Sequence, residues 1–279
     1  MSGQVLPMER GGRGPALMLL HGYTGSGSSM AGIARAFQGE YETLAPDLPG
    51  HGRSVFAAEC GFDDCLGDLA ATLESTGHRR AHWLGYSLGA RLALGCAVRH
   101  PGSVASLVLL AGRAGIADPD ERATRRRADD ALATRIEAQG IGVFVDEWLA
   151  QPLFASLRRL GPEFLARERS ARLANDAHGL AASLRRLGPG AQPSLFDALP
   201  DVKVPVLLVA GALDTRFVEL AHELARRLPR AEVRAIPDAG HAAHVERPDA
   251  FNDAVRDFLR RVANPASAIP SRSVQEIAS

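Results

Sequence analysis

The sequence predicts an α/β fold in which helices cover both faces of a mostly parallel sheet. Two observations indicate this fold. Short apolar runs bounded by glycine alternate with longer helix-compatible segments, as in successive strand-helix-strand units. The 279 residues are 46% hydrophobic and 23% charged, which is the composition of a globular chain able to bury a substantial core.

The predicted strands follow one another with a single long interruption. We place them at residues 16–20, 41–45, 81–84, 104–110, 204–210 and 232–236. The gap at residues 113–200 is rich in Arg, Ala and Leu and is too long for a structureless loop. We therefore predict a core of residues 1–112 and 201–263, a helical lid at residues 113–200, and a disordered tail at residues 264–279.

The charge, the apolar runs and the cysteine spacing argue against nucleic-acid binding, membrane insertion and a zinc or redox site. Lys+Arg and Asp+Glu both count 32, so nothing favours nucleic acid or an anionic membrane as a partner. No apolar run reaches the roughly 18 residues of a membrane span, and the first residues lack the features of a secretory signal. The three cysteines lack the spacing of a zinc or redox site. We expect a cytoplasmic protein without metal or organic cofactor; a monomer is favoured, although the sequence leaves the oligomeric state open.

The segment Gly85-Tyr86-Ser87-Leu88-Gly89 matches the G-x-S-x-G pattern of a nucleophile elbow. Small flanking residues permit a strained strand-to-helix turn that projects the serine oxygen from the sheet. A helix that begins here directs its partly positive end toward Ser87. The alternative is a serine in an ordinary glycine turn, and the position between a strand and a helix-forming segment favours the elbow.

A serine of this kind requires a histidine to take its proton and a carboxylate to fix the histidine tautomer. In the α/β-hydrolase fold these residues follow late strands in the order Ser, Asp or Glu, His. Asp214 follows the strand at 204–210 and His241 follows the last strand, so we assign them these roles. Asp214 could instead cap a helix. His244 is the rival base, and we expect it to bond to backbone or to Glu246.

Two further glycine-containing turns follow the first two predicted strands. The turn His21-Gly22-Tyr23-Thr24-Gly25 stands where this fold places an oxyanion-hole amide. We predict that the backbone N–H groups of Tyr23 and Leu88 form this hole. The turn that contains Asp47 and His51 is interpreted as structural, because its Pro and Gly set the backbone geometry and neither residue is in triad position.

All but one of the 32 basic residues are arginines, whose planar fork suits carboxylates, although a GC-rich genome would produce the same bias. Arg91 lies four residues after Ser87, so both side chains can face one pocket. In the lid, Arg122, Arg125 and Arg126 have the spacing of one helix face. The alternative is a solvated helix face that nearby acidic residues neutralise.

The sequence resembles one α/β-hydrolase family, the synthase of menaquinone biosynthesis that makes 2-succinyl-6-hydroxy-2,4-cyclohexadiene-1-carboxylate by eliminating pyruvate. The resemblance runs over about residues 19–258 and includes the lid. It rests on the segments 85–91, 121–129, 148–157, 172–175 and 179–180. Two departures are Ala90, where a glycine is frequent, and the less polar pair Leu149-Ala150.

This resemblance implies a triad of Ser87, Asp214 and His241. It also implies substrate contacts for Tyr86, Arg91, Arg125, Trp148 and Arg172. The expected ligand is a small polycarboxylate, because arginine forks hold carboxylates bidentately. In the expected reaction Ser87 removes a carbon-bound proton with the help of His241, and no acyl-enzyme forms.

Two other functions remain open from the sequence, since this fold hosts many activities. A carboxylesterase or a C–C bond hydrolase would use the same triad. A non-catalytic ligand receptor could share the scaffold, but it would not require every triad member.

Overall fold

The computed structural model describes residues 3–57 and 60–264. Within them the strands form one seven-stranded sheet with the order β1-β3-β2-β4-β5-β6-β7. The strands are β1 (Met8–Gly11), β2 (Ala16–Leu20), β3 (Glu42–Pro46), β4 (Ala81–Tyr86), β5 (Val104–Leu110), β6 (Val206–Gly211) and β7 (Ala231–Ile236). The pair of β1 and β3 is antiparallel, and all other neighbouring pairs are parallel.

Helices cover both faces of this sheet because the strand side chains alternate between two apolar cores. The helices are α1 (Ala31–Phe37), α2 (Phe62–Ser75), α3 (Leu88–Arg99), α4 (Pro119–Ala150), α5 (Pro162–Leu173), α6 (Ala177–Leu187), α7 (Thr215–Ala225), α8 (Ala243–Glu246) and α9 (Pro248–Ala263). Met18 and Leu20 of β2 belong to the core that α2, α3 and α7 cover. Leu17 and Leu19 belong to the core that α1 and α9 cover. The predicted fold class is confirmed.

All six predicted strands are present, with ends that differ by at most two residues. The prediction missed β1, whose sequence Met-Glu-Arg-Gly has no apolar run and is partly exposed. As an edge strand, β1 is held by backbone pairing with β3 rather than by burial of its side chains. A search for apolar runs therefore cannot find it.

The long insertion between β5 and β6 contains α4, α5 and α6 and has a small apolar core of its own. Phe144 and Val145 of α4 pack there with Leu180 and Leu184 of α6. Helix α4 is interrupted at Gly140, whose φ of 81° is accessible to glycine without strain. The predicted lid boundaries at residues 113 and 200 remain a prediction.

Two predictions concern other features of the chain. Apart from Asn264, the predicted disordered tail lies outside the described residues. In the described part of the chain, no helix is both long enough and apolar enough to cross a membrane.

Candidate active site

Ser87 occupies the turn between β4 and α3 in a strained conformation. Its φ is 51°, in the left-handed region that side chains rarely adopt, and its N–H donates to the Leu110 carbonyl at 2.9 Å. A Cβ at Gly85 would overlap the backbone of Gly89, and a Cβ at Gly89 would overlap the Leu20 carbonyl. Both glycines of the motif are therefore required by lack of space around the elbow.

Asp214 and His241 are brought together by the pairing of β6 with β7. Each residue follows its strand at the same edge of the sheet, where Gly211 pairs with Ile236. The His241 ring is buried, and its Nδ1 lies 2.7 Å from Asp214 Oδ2. Asp214 Oδ1 accepts a longer hydrogen bond of 3.4 Å from the N–H of Phe217, so the carboxylate also caps α7. Asp214 therefore contacts His241 and also caps α7, whereas its role as the catalytic acid remains a prediction.

Ser87 and His241 line the same cavity, which has a volume of about 600 Å³. Within the described residues no hydrogen bond joins the Ser87 hydroxyl to His241, so the predicted triad is hydrogen-bonded only between His241 and Asp214. Such bonds commonly tighten only when substrate binds. Aromatic rings surround the imidazole, with the Phe217 ring 4.7 Å and the Tyr86 ring 5.4 Å from it between ring centres.

The predicted oxyanion-hole residues, Tyr23 and Leu88, also line this cavity. Among the described backbone groups, neither of their N–H groups has an acceptor, whereas the N–H of Gly89 donates to the His21 carbonyl. Thr24, next to Tyr23, is buried with a φ of 70°. This conformation shapes the turn that carries the Tyr23 amide.

The turn after β3 has the structural role predicted for it. Asp47 accepts hydrogen bonds from the N–H of Gly27 at 2.7 Å and from the backbone and side chain of Arg53. His51 is buried with its Nδ1 3.1 Å from the Pro49 carbonyl, and it does not line the cavity of Ser87.

Two of the predicted substrate-binding arginines face the cavity. Arg91 is buried, and its Nη1 donates to the Leu187 carbonyl at 2.8 Å and to Gln192 Oε1 at 2.9 Å. Burial lowers the pKa of Arg91 to about 9, so it stays charged at neutral pH. Arg125 donates from Nε to Asp129 Oδ1 at 2.7 Å. Of the three stripe arginines of α4, only Arg125 lines the cavity.

Tyr86 and Trp148 line the cavity as predicted, but Arg172 does not. Arg172 faces a neighbouring cavity of about 40 Å³, which Tyr86 also lines. Its Nη1 pairs with the carboxylate of Glu168, one helical turn earlier in α5. The structure therefore places Arg172 behind Tyr86 rather than beside Ser87.

The expected hydrogen bond of His244 to backbone or to Glu246 was wrong. Among the described residues His244 has no hydrogen-bond partner at Nδ1, and its ring packs 4.6 Å from the Tyr86 ring between ring centres. Glu246 instead accepts from the N–H groups of Gly240, at 2.8 Å, and Ala242, at 3.3 Å. Burial lowers the pKa of His244 to about 3, so the ring is neutral.

Sequence reasoning missed two arginines that line the cavity, Arg113 and Arg216. Arg113 lies three residues after β5, and Arg216 lies two residues after Asp214. Both follow the carboxyl ends of parallel strands, where ligands bind in open α/β sheets. That position was the signal that could have identified them.

The three cysteines Cys60, Cys65 and Cys96 are buried and free. Burial raises the pKa of each thiol, so none has the character of a reactive thiolate. Over the described ranges, the His, Cys, Asp and Glu side chains form no group of three or more that could hold a metal ion.

Comparison with known proteins places the chain in a family. The family model for the alpha/beta hydrolase fold matches residues 15–248. The 2-succinyl-6-hydroxy-2,4-cyclohexadiene-1-carboxylate synthase of Yersinia pestis is 36% identical over 266 residues, covering 94% of this chain and 92% of that protein.

Solved structures agree in fold. MenH from S. aureus superimposes with a TM-score of 0.88 at 30% identity, over 92% of this chain and 99% of that one. A thermophilic esterase from Thermogutta terrifontis has a TM-score of 0.81 at 28% identity, over 92% and 93%. The resemblance inferred from the motifs is confirmed: the chain belongs to the α/β-hydrolase family and, within it, to the family of 2-succinyl-6-hydroxy-2,4-cyclohexadiene-1-carboxylate synthases.

Proposed function

We propose that the protein is the lyase for which these relatives are named. It eliminates pyruvate from 2-succinyl-5-enolpyruvyl-6-hydroxy-3-cyclohexene-1-carboxylate to give 2-succinyl-6-hydroxy-2,4-cyclohexadiene-1-carboxylate, a step of menaquinone biosynthesis. One observation carries the proposal: Ser87 and His241, whose ring is bonded to Asp214, line a cavity in which arginines provide most of the charge. That combination suits proton removal from a polycarboxylate.

In the proposed mechanism Ser87 is the base that removes a ring proton, and His241 Nε2 takes the proton of the serine hydroxyl. Asp214, bonded to Nδ1, holds the tautomer in which Nε2 can accept. The electron pair of the broken C–H bond at C2 forms the C2=C3 double bond, and the pair of the existing C3=C4 double bond moves to C4=C5. This shift breaks the C–O bond at C5, and the leaving enolate takes the proton held by His241 to become pyruvate.

The oxyanion hole stabilises the charge that builds on the succinyl carbonyl oxygen during proton removal. We assign this role to the N–H groups of Tyr23 and Leu88, because both line the cavity and neither has an acceptor among the described backbone groups. Leu88 is the first residue of α3, so the partly positive helix end adds to the stabilisation.

Binding of the substrate carboxylates falls to the arginines of the cavity. Arg91 and Arg125 extend into it from α3 and α4, while Tyr86 and Trp148 supply aromatic walls. We assign Arg172 no direct contact with the substrate, because it lies beside Tyr86 in the neighbouring cavity. We further propose that residues 113–200 act as a lid over this site and exclude water from it.

The proposal includes a cytoplasmic, monomeric enzyme with a small polycarboxylate as its ligand. Free, buried cysteines are the usual state in a reducing compartment. The mechanism needs no metal or organic cofactor, because Ser87, His241 and the backbone amides supply every proposed step.

Supplying the precursor and following both pyruvate release and the absorbance of the conjugated product tests this function. We expect Ser87→Ala to lower kcat by about 10²–10⁴-fold, the usual contribution of a positioned base. Ser75→Ala, at the end of α2 and away from the cavity, is the matched control and should keep full activity. Absence of pyruvate release by the wild-type protein, with an active control enzyme, would contradict the proposal.

An ester hydrolase is the second candidate, because the chain shares its fold with the esterase from Thermogutta terrifontis and a serine–histidine–aspartate set also serves ester hydrolysis. Such an enzyme would release alcohol from simple aryl esters and accumulate an acyl-serine. The proposed lyase would show little turnover of these esters, since a neutral acyl group leaves the arginines unpaired. A non-catalytic receptor would keep its biological function in the Ser87→Ala variant. If the protein is the proposed enzyme, this variant loses its biological function.

A further inference from the structure

The lining of the cavity around Ser87 contains more positive than negative side chains. In the described part of the chain this lining contains four arginines and one carboxylate, namely Arg91, Arg113, Arg125, Arg216 and Asp129. Four positive charges against one negative charge leave three unbalanced. Asp129 is already engaged, because it accepts from Arg125 Nε at 2.7 Å and from the N–H of Gly190 at 3.0 Å.

Arg113 and Arg216 are the two of these arginines without a strong partner. Arg113 donates from Nε to the Gly115 carbonyl at 3.2 Å. Arg216 forms no hydrogen bond or ion pair with any residue that the structure describes. Burial, followed by repulsion from the charges of Arg125 and Arg216, lowers the pKa of Arg113, while the carboxylates of Glu121 and Glu223 act in the opposite direction. An anion between Arg113 and Arg216 would remove that repulsion.

The position of Arg216 opposes the local preference of its helix. It lies in the first turn of α7, where the partly positive helix end favours acidic residues, and no acidic residue occupies that turn. Arg216 therefore gains nothing from the helix dipole, which the N-cap Asp214 already satisfies. A residue that breaks a local rule without gain to the fold is expected at a functional site.

Both arginines are attached to backbone that also holds the proposed catalytic residues. Phe217, the neighbour of Arg216, packs its ring 4.7 Å from the His241 ring between ring centres. Arg113 follows β5, whose Leu110 carbonyl accepts the N–H of Ser87 at 2.9 Å. An anion held by the two arginines would thus sit beside the reacting groups.

We propose that Arg113 and Arg216 together bind one carboxylate of the substrate, at a subsite beside His241. The proposal deepens the function given above and rests on it, because it requires a substrate with several carboxylates. Arginine forks bind a carboxylate through charge-assisted hydrogen bonds of fixed geometry. The subsite would orient the ring so that its labile proton faces Ser87.

The test measures kcat and KM for the precursor in Arg113→Gln, Arg216→Gln and the double variant. We expect each single change to raise KM about tenfold, as for a lost charge-assisted hydrogen bond, with kcat within about threefold of wild type. The double variant should raise KM by less than the product of the single effects, because both arginines hold one carboxylate. Arg127→Gln is the control, since Arg127 is exposed on α4, contacts Thr124 and does not line the cavity.

Binding of succinate, measured by calorimetry, separates failure of the subsite from failure of the proposed function. A wild-type protein that releases no pyruvate contradicts the function, whereas weaker succinate binding in both variants still supports the subsite. A KM and a succinate Kd that stay within twofold of the Arg127→Gln values would overturn the subsite. If the half-buried Arg113→Gln variant does not fold, the exposed Arg216→Gln alone decides, with Arg216→Lys expected to restore part of the affinity.

Discussion

At the scale of single residues, local sequence identifies chemistry best where the backbone itself is constrained. Gly85 and Gly89 are fixed by space around the elbow, so their pattern in the sequence pointed to Ser87. His244 had no such constraint. Its environment depends on packing against Tyr86, and the prediction of its hydrogen bond failed.

Gly89→Ala tests the role of space at the elbow. Because the added Cβ would overlap the Leu20 carbonyl oxygen, we expect the free energy of unfolding to fall by about 1–3 kcal/mol and kcat to collapse as Ser87 shifts. Urea unfolding and pyruvate release measure the two effects. Gly142→Ala is the control, since its Cβ meets nothing within 4 Å, and it should gain up to about 1 kcal/mol. Equal behaviour of the two variants would refute this account.

At the scale of elements, the insertion is tied to the core through the junction of α5 and α6. Asn175 at this junction is buried and accepts from the N–H of Gly52 at 2.9 Å, while its Nδ2 donates to the Thr24 carbonyl at 2.9 Å. The Tyr23 hydroxyl donates to the Leu180 carbonyl of α6 at 2.9 Å. Asn175 therefore links the insertion to the turn that carries the proposed oxyanion amide.

We expect Asn175→Ala to lower both stability and kcat. The change leaves the buried Thr24 carbonyl and the N–H of Gly52 without Asn175 as their partner, at a cost of about 1–3 kcal/mol. It also frees the turn that holds the Tyr23 amide, so kcat should fall about tenfold or more. Chemical unfolding and steady-state kinetics provide the readouts.

Asp176→Ala is the matched control for this prediction. Asp176 is exposed and caps α6 through the N–H of Gly179, so its loss should cost about 1 kcal/mol of stability without changing kcat. A similar kcat in both variants would show that Asn175 contributes to stability alone.

At the scale of the whole molecule, charge is balanced globally and concentrated locally. The net charge is zero, yet the cavity lining has three unbalanced positive charges. Three buried histidines, in contrast to the charged arginines of the cavity, stay neutral. Burial lowers the pKa of His21 to about 4 and that of His51 and His244 to about 3. For His21 the neutral ring is also needed as an acceptor, because its Nε2 accepts the N–H of Leu48 at 3.0 Å.

These histidines make stability fall in mild acid. In the unfolded chain each has a pKa near 6.5 and binds a proton as the pH falls below that value, whereas the folded protein does not bind it until about pH 3–4. Each histidine should therefore lower the free energy of unfolding by up to about 1.4 kcal/mol per pH unit between these limits. Above pH 6.5 they contribute no pH dependence.

Urea unfolding at pH 7.5, 6 and 5 measures this effect. His244→Phe keeps an aromatic ring beside Tyr86 without a titrating group, so its loss of stability between pH 7.5 and pH 5 should be smaller than that of wild type. Identical slopes for wild type and His244→Phe would exclude His244 as a source.

The sequence by itself determined the fold class, the six parallel strands and the family. Burial on both faces makes each of these strands a short apolar run, and the tight elbow requires glycine, so both leave a local pattern. The order of Ser87, Asp214 and His241 along the chain followed from the strands that precede them. These features depend on neighbours in sequence, which is why they could be predicted without coordinates.

The tertiary structure alone decided which arginines face the cavity and how the insertion meets the core. Arg172 pairs with Glu168 behind Tyr86, whereas Arg113 and Arg216 come from separate segments and meet at one end of the sheet. The edge strand β1 likewise depends on its pairing with β3. The position of a residue after a strand can suggest that it lies near the site. Packing between distant segments sets the direction of its side chain, which only the structure shows.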